Sequence, residues 1–291
     1  MDDALNEPPD DIPAAPAHGL GGPERFAASW ALLALPVAFI TSQLAGAVAG
    51  SVAETLVGTD APGSAVPLLA GVAGGHGTLL LLVFVAVIAA RLPVLHTLGL
   101  QSLAGLGRVR PDIWVLAAVG TFMLGPLADT LMSAMERWAP GSTLGSVPML
   151  QEIARDNPVW LTWPFLALLP GLAEELFFRG LLQRSFARPA VGAAVSAVAF
   201  ALFHVDPHHV VGVLPLGVFL AWVALRHGTA VAIAAHVANN TVALLSARSA
   251  TLDVGYGTEQ PMPLEWLPVS LLIVALCARV LQRAPAAAPV P

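Results

Sequence analysis

Long apolar segments restrict what this chain can fold into. A helix needs about 20 consecutive apolar residues to cross the hydrocarbon core of a bilayer. Segments of about this length lie at 26–50, 66–90, 112–132, 159–186, 189–206, 209–226, 229–247 and 264–283. Lipid offers no hydrogen-bond partners to the backbone, so isolated spanning segments are helical. The sequence therefore predicts an all-α fold, a polytopic transmembrane helical bundle of about eight spans.

Composition agrees with a multi-pass protein, which we expect in the cell membrane. Hydrophobic residues make up 56% of the chain, charged residues 11%, and the mean hydropathy is +0.75, far from the values of soluble domains. All 13 basic residues are arginine. After the first 24 residues they are balanced by acids, so we expect the lipid bilayer, and no nucleic acid, as a partner. Cys277 is the single cysteine, which excludes an intrachain disulfide and a cysteine metal cluster.

Arginine positions predict the orientation, because cytoplasmic loops of membrane proteins are enriched in Lys and Arg. With eight spans and a cytoplasmic N-terminus, nine arginines fall on the inner side and three on the outer side. Both termini are therefore predicted to be cytoplasmic, with an external loop at about 133–158. The inner set is Arg25, Arg91, Arg108, Arg110, Arg184, Arg188, Arg226, Arg279 and Arg283; the outer set is Arg137, Arg155 and Arg248.

The fourth segment contains three ionisable residues within AEELFFRG. Glu175 and Arg179 are four residues apart and so share a helix face as an ion pair. Glu174 lies about 100° round the helix and has no partner on it. An unpaired carboxyl in apolar surroundings is suited to general acid or base chemistry. Glu174 is therefore the catalytic candidate, and Arg179 is the structural counter-ion of Glu175.

The fifth and seventh segments supply further polar side chains. Phe200 and His204 stand one turn apart in FALFH, and His236 and Asn240 do so in HVANN. Counted from a turn near Arg188, the predicted helices place Glu174 and His204 both about 21 to 24 Å away, so the two can meet at one depth. A Glu–His pair can activate water.

His236 and Asn240 fit two kinds of site. Their N–H groups could stabilise an oxyanion that develops on a substrate carbonyl. Alternatively, Glu174, His204 and His236 could bind zinc, with Asn240 in the surrounding shell. The sequence leaves both open.

Other polar residues are given structural interpretations. His76, in AGVAGGHGTLLLL, is expected to serve packing or a local hydrogen bond. Asp129, Asp206, His208 and His209 lie near predicted interfaces and are interpreted mainly as solvated caps. Asp206 and the two histidines after it could also line an entrance.

The motifs EELFFR, FALFH and HVANN, in this order, resemble those of the CPBP intramembrane protease family. That family includes the CAAX prenyl endopeptidases of Rce1 type and the bacterial Abi and lysostaphin-resistance-A-like proteins. Its pattern is E-E-x-x-x-R, then F-x-x-x-H, then H-x-x-x-N or D, and the resemblance covers about residues 160 to 247. The matching positions are Glu174, Glu175, Arg179, Phe200, His204, His236 and Asn240.

The resemblance implies an intramembrane endopeptidase that acts on a membrane protein or a lipidated peptide. Glu174 and His204 would activate the water, and His236 and Asn240 would hold the oxyanion. The family is described both as metalloproteases and as metal-free glutamate proteases, so zinc is a candidate cofactor and none is certain. The predicted orientation places this site in the outer half of the membrane, whereas a protease for prenylated peptides is expected to open to the cytoplasm.

Two other functions are compatible with intramembrane Glu, His and Asn. A transporter or proton relay would use them as an ion path, but the chain shows no internal repeat of the kind common in transporters. A non-catalytic membrane scaffold of the same fold would be expected to lose motif residues, and each motif position is intact.

The predicted organisation has five parts. Residues 1–24 form a disordered, acidic, Pro-rich tail, and 25–158 hold the N-terminal transmembrane helices and the external loop. Residues 159–247 form the protease-like catalytic core, 248–283 a loop and the last transmembrane helix, and 284–291 a Pro/Ala tail.

Overall fold

The computed structural model describes residues 25–57, 65–101, 109–248 and 262–285. Both predicted tails therefore lie mostly outside the described residues. Within the described ranges the secondary structure is helical and contains no strand, which confirms the predicted all-α helical bundle. The helices are α1 (Ala28–Val57), α2 (Val66–Ala89), α3 (Val94–Thr97), α4 (Pro111–Trp138), α5 (Ser146–Asp156), α6 (159–185), α7 (Pro189–Leu202), α8 (Pro207–His227), α9 (Thr229–Ser246) and α10 (Trp266–Arg283).

Six of these helices are long and apolar enough to cross a bilayer: α1, α2, α4, α8, α9 and α10. The fourth predicted segment is helical over 159–185, but π-helical turns at Pro164–Leu168 and Leu176–Leu182 interrupt it. The fifth, α7, has 14 residues and extends only about 21 Å, less than the ~30 Å core. The described residues thus support a multi-pass protein, while the count of eight spans stays a prediction.

Proline and glycine mark the helix boundaries. Helices α4, α7 and α8 begin with Pro111, Pro189 and Pro207, where the missing N–H costs no helical hydrogen bond. Gly228 alone separates α8 from α9, with φ of 93°. Only glycine adopts this backbone conformation readily, so the chain reverses direction in a single residue.

Helix α6 lies at the centre of the bundle, in contact with α2, α7 and α9. Its side chains from Leu176 to Leu182 are all buried. By contrast, α1 packs mainly on α2 and exposes Leu33, Ile40, Leu44 and Val48 by more than half of each side chain. A continuous apolar face of this kind is expected to contact lipid.

Close packing brings α6 against α9. A Cβ atom at Gly171 would lie 2.7 Å from Cγ2 of Val237 and 3.1 Å from its backbone nitrogen. Only a residue without a side chain permits this approach, as is common between membrane helices. The approach places Glu174 and Glu175, one turn after Gly171, beside His236 on α9.

Candidate active site

The structure brings the four predicted catalytic residues to one cavity of about 300 Å³. Glu174 comes from α6, and His236 and Asn240 come from α9. His204 lies two residues after the end of α7, in the turn that leads to α8. The predicted helix at 189–206 was therefore too long at its C-terminus. The remaining walls are largely apolar, with Leu124, Met132, Leu166 and Leu216 among them.

Glu175 and Arg179 form a buried ion pair behind the cavity, where both side chains are fully inaccessible. The Arg179 Nη1 atom donates to Oε1 of Glu175 at 2.7 Å, and Nη2 donates to the carbonyl of Gly217 at 3.1 Å. The guanidinium also lies 4.3 Å from the ring centre of Phe200, a cation–π distance. These contacts join α6 to α7 and α8.

His236 lies between the two glutamates of α6. Its Nδ1 is 2.9 Å from Oε1 of Glu175, and its Nε2 is 3.9 Å from Oε2 of Glu174. The Glu175 carboxylate, paired with Arg179, can only accept, so Nδ1 of His236 is the donor. In a neutral ring, Nε2 then carries the lone pair and faces Glu174.

Phe200 separates and orients the two histidines. Its ring packs edge-on against His204 at 5.0 Å and against His236 at 5.7 Å between centroids. The carbonyl of Phe200 accepts from Nδ1 of His204 at 2.9 Å, which leaves Nε2 of His204 for other partners. The one-turn spacing seen in the sequence is thus realised as a direct hydrogen bond.

Asn239 and Asn240 both line the cavity. The Asn239 amide donates to Oδ1 of Asn240 at 3.4 Å. This contact occupies the acceptor end of the Asn240 amide, whose nitrogen is a hydrogen-bond donor.

Two histidines of the site were given structural interpretations from the sequence. His76, expected to serve packing or a local hydrogen bond, contacts Glu174 through Nε2 at 3.0 Å. Its Nδ1 also makes the expected local contact, to the Val72 carbonyl at 2.9 Å. His209 lines the cavity, with its ring 4.4 Å from that of His204. The available signal for His76 was an ionisable group in the middle of an otherwise apolar helix.

The interpretation of Asp129, Asp206 and His208 as solvated was wrong, because all three are buried. Asp206 does cap α8, accepting from the backbone N–H of His208 at 3.1 Å. Its other oxygen accepts from Ser146 Oγ at 2.9 Å and from the Leu144 N–H at 3.1 Å. Burial acts to raise the pKa of Asp206, but the hydrogen bonds from Ser146, His208 and Leu144 outweigh it and hold the pKa below its ordinary value.

These hydrogen bonds of Asp206 fix the start of α5 over the cavity. Helix α5 lies within the loop predicted at 133–158, and Val147, Leu150 and Ala154 from it line the cavity wall. At its other end, Nη1 of Arg248 donates to the carbonyl of Ala154 at 2.5 Å. An amphipathic helix anchored at both ends thus covers one side of the site.

The zinc interpretation depends on whether Glu174, His204 and His236 can share a metal. The histidines suit such a role, because Nδ1 of each is engaged by a carbonyl or carboxylate and Nε2 is left free for a ligand bond. However, no group of three or more His, Cys, Asp or Glu side chains within the described ranges is arranged to hold a metal ion. A zinc ion held by Glu174, His204 and His236 therefore stays a prediction, which elemental analysis can test.

Part of the chain matches a known protein family. Residues 156–242 match the family described as Type II CAAX prenyl endopeptidase Rce1-like. Searches of curated proteins and of solved structures gave no significant match. The matched region contains all seven motif residues, from Glu174 to Asn240, and excludes α1 to α4. The similarity to this family therefore covers the region that holds the three motifs, which is less than half of the chain.

Proposed function

We propose that this protein hydrolyses a peptide bond of a membrane-associated substrate, prenylated or otherwise lipid-anchored, in the cavity around Glu174. The observation that carries the proposal is the convergence of Glu174, His204, His236 and Asn240 on one largely apolar cavity. A carboxylate, two imidazoles and an amide donor are the groups that water attack on an amide requires.

In the proposed mechanism, Glu174 accepts a proton from water while the water oxygen bonds to the substrate carbonyl carbon. His204, through Nε2, accepts from the same water and orients it. The electron pair of the C=O bond moves to oxygen and forms the tetrahedral oxyanion. When this species collapses, the C–N bond breaks, and the proton held by Glu174 passes to the leaving amine. No further acid is needed, because Glu174 both receives the proton from water and delivers it to the leaving amine.

Asn240 donates to the oxyanion from its amide nitrogen, in an orientation supported by the contact from Asn239. His236 contributes a second donor only when its ring is doubly protonated, because Nδ1 already donates to Glu175. The carboxylates of Glu175 and Glu174 lie on the two sides of the ring, 2.9 Å from Nδ1 and 3.9 Å from Nε2.

The family match and the cavity walls support this substrate class. Apolar side chains from α4, α5, α6, α8 and α9 surround the polar group, so a peptide carrying a lipid or apolar side chains is preferred over a soluble, charged one. The cell membrane remains the predicted location.

The test is cleavage of farnesylated and transmembrane peptides by purified protein in lipid nanodiscs, with products identified by mass spectrometry. Glu174→Gln and His204→Ala should each abolish product formation while the thermal unfolding profile stays within a few degrees of wild type. Glu152→Gln removes an exposed carboxylate of α5 and should cleave normally. Wild-type cleavage by Glu174→Gln would contradict the assignment. Substrates trapped by Glu174→Gln in cell membranes would identify the natural target.

A transporter or a scaffold would give a different result. Either would leave every peptide intact with wild-type protein, and a transporter would also show solute or proton flux in sealed liposomes.

A further inference from the structure

Among the contacts of the described residues, His76 is the residue of α1 and α2 whose side chain reaches a carboxylate of α6. It lies 98 residues before Glu174, and its Nε2 is 3.0 Å from Glu174 Oε1. The histidine side chain is 23% exposed and that of Glu174 14%. The region matching the protease family begins at residue 156, so this contact comes from outside it.

The protons of the contact follow from its neighbours. Nδ1 of His76 is 2.9 Å from the carbonyl of Val72, and a carbonyl oxygen only accepts, so Nδ1 carries a hydrogen. Glu174 can act as the base only as a carboxylate, so the further proton between Nε2 and Oε1 belongs to the His76 ring. Nε2 then donates to Oε1 in a charge-assisted hydrogen bond, which fixes that oxygen.

This hydrogen bond determines where the other carboxyl oxygen points. With Oε1 bound to His76, Oε2 of Glu174 lies 3.9 Å from Nε2 of His236. A glutamate has three rotatable side-chain bonds, and an unrestrained carboxylate would sample several rotamers in a cavity of about 300 Å³. His76 thus reduces the freedom of the group that must meet the water.

Helix α2 is a firm support for this contact because it packs on α1 through glycines. A Cβ atom at Gly74 would lie 2.7 Å from the Ala45 carbonyl oxygen, and one at Gly46 would lie 2.9 Å from the Gly71 carbonyl oxygen. The two backbones are therefore in direct contact at Gly71 and Gly74, within the turn and a half before His76. A rigid support improves the precision with which a hydrogen-bonded neighbour holds a catalytic group.

We propose that His76 is a positioning residue for the hydrolysis, which holds Glu174 through Oε1 so that Oε2 faces His236 and the bound water. This inference rests on the proposed function. It assigns to α1 and α2, which lie outside the family match, a direct part in ordering the site.

The experiment compares three substitutions of His76 in the full-length protein. His76→Leu removes the hydrogen bond with little change in volume, His76→Met is a second apolar variant, and His76→Gln keeps an N–H donor at similar reach. Loss of the orienting contact should lower kcat about 10- to 100-fold in the Leu and Met variants, the range seen when a residue that orients a metal ligand is removed. KM should change less than about threefold, and His76→Gln should recover to within about fivefold of wild type.

Thr78→Val is the matched control. It removes a hydroxyl group from α2. That hydroxyl donates to the Gly74 carbonyl of the same helix at 2.8 Å. Its kcat and KM should equal those of wild type. If His76→Leu does not fold, the Met and Gln pair makes the same comparison.

The outcomes separate this inference from the proposed function. If wild type cleaves, Glu174→Gln does not, and the apolar variants of His76 retain full kcat, the positioning role is wrong and the protease assignment stands. Equal losses of kcat in the Gln, Leu and Met variants would also reject the positioning role, because the N–H donor of glutamine would then have no effect. Absence of cleavage by wild type would reject the proposed function itself.

Discussion

The Nδ1 atom of His236 lies 2.9 Å from Oε1 of Glu175, the same oxygen that accepts from Arg179 at 2.7 Å. Glu175 therefore links a buried ion pair to the ring that faces the cavity. The sequence interpretation gave Glu175 one partner, Arg179, whereas the structure gives it two. A carboxylate that accepts from Nδ1 fixes both the tautomer and the orientation of the imidazole.

Arg179→Ala should destabilise the protein by about 3–5 kcal/mol, because it leaves the carboxylate of Glu175 buried without its positively charged partner. The measurement is denaturant unfolding in mixed micelles. Arg110→Ala breaks an exposed pair with Asp112, whose side chains are 65% and 40% accessible, and should cost less than about 1 kcal/mol. Similar decreases in the free energy of unfolding in the two variants would show that burial of the Arg179–Glu175 pair does not make it more important for stability.

Asn240→Ala should lower kcat by about 10² to 10³ with little change in KM, as expected when one oxyanion donor is removed. Asn239→Ala leaves the Asn240 donor in place and removes the contact to its Oδ1, so the loss of kcat should be smaller. Steady-state kinetics on one peptide substrate measure both. A rise in KM at constant kcat for Asn240→Ala would indicate a role in substrate binding instead.

Gly171→Ala should reduce activity, because the new methyl group meets Val237 and moves α6 away from α9. Removing Cγ2 of the valine in Gly171→Ala/Val237→Ala should restore part of the activity. The control is Gly77→Ala, whose Cβ would enter open space on α2; it should keep full activity. If the single and double variants at position 171 behave alike, the approach of α6 to α9 does not limit catalysis.

Metal dependence has a direct test. We expect active protein purified with a chelator to carry much less than one zinc per chain, because a glutamate that ligates zinc could not also serve as the base. Elemental analysis beside an activity assay measures this. Stoichiometric zinc whose removal ends activity and whose return restores it would overturn the expectation, and His236→Ala should then lose metal and activity together.

The arginine distribution predicts a cytoplasmic N-terminus and an external position for residue 60. Reporter fusions at these two points should give opposite signals. A cytoplasmic signal at residue 60 would invert the orientation and place the opening of the cavity on the other side of the membrane.

The pattern of apolar and polar residues along the sequence determined much of the architecture. Eight apolar segments predicted helices that the structure contains, because a run of apolar residues without hydrogen-bond partners in lipid has to be helical whatever surrounds it. Motif spacing likewise placed Phe200 beside His204, since residues one turn apart are neighbours on any helix. Sequence could not show that α7 ends at Leu202 and that π-helical turns interrupt α6, because both depend on packing against neighbouring helices.

The partners of the charged residues were decided by tertiary structure alone. Glu174 has no partner on its own helix, and the sequence contains no local sign that His76, on α2, lies 3.0 Å from it. The second contact of Glu175, to His236, likewise joins two separate helices. Sequence spacing specifies neighbours along one helix, but contacts between helices depend on where backbones approach, as at Gly171. The residue types of the site were therefore readable from the sequence, whereas their pairing was set by how the helices pack.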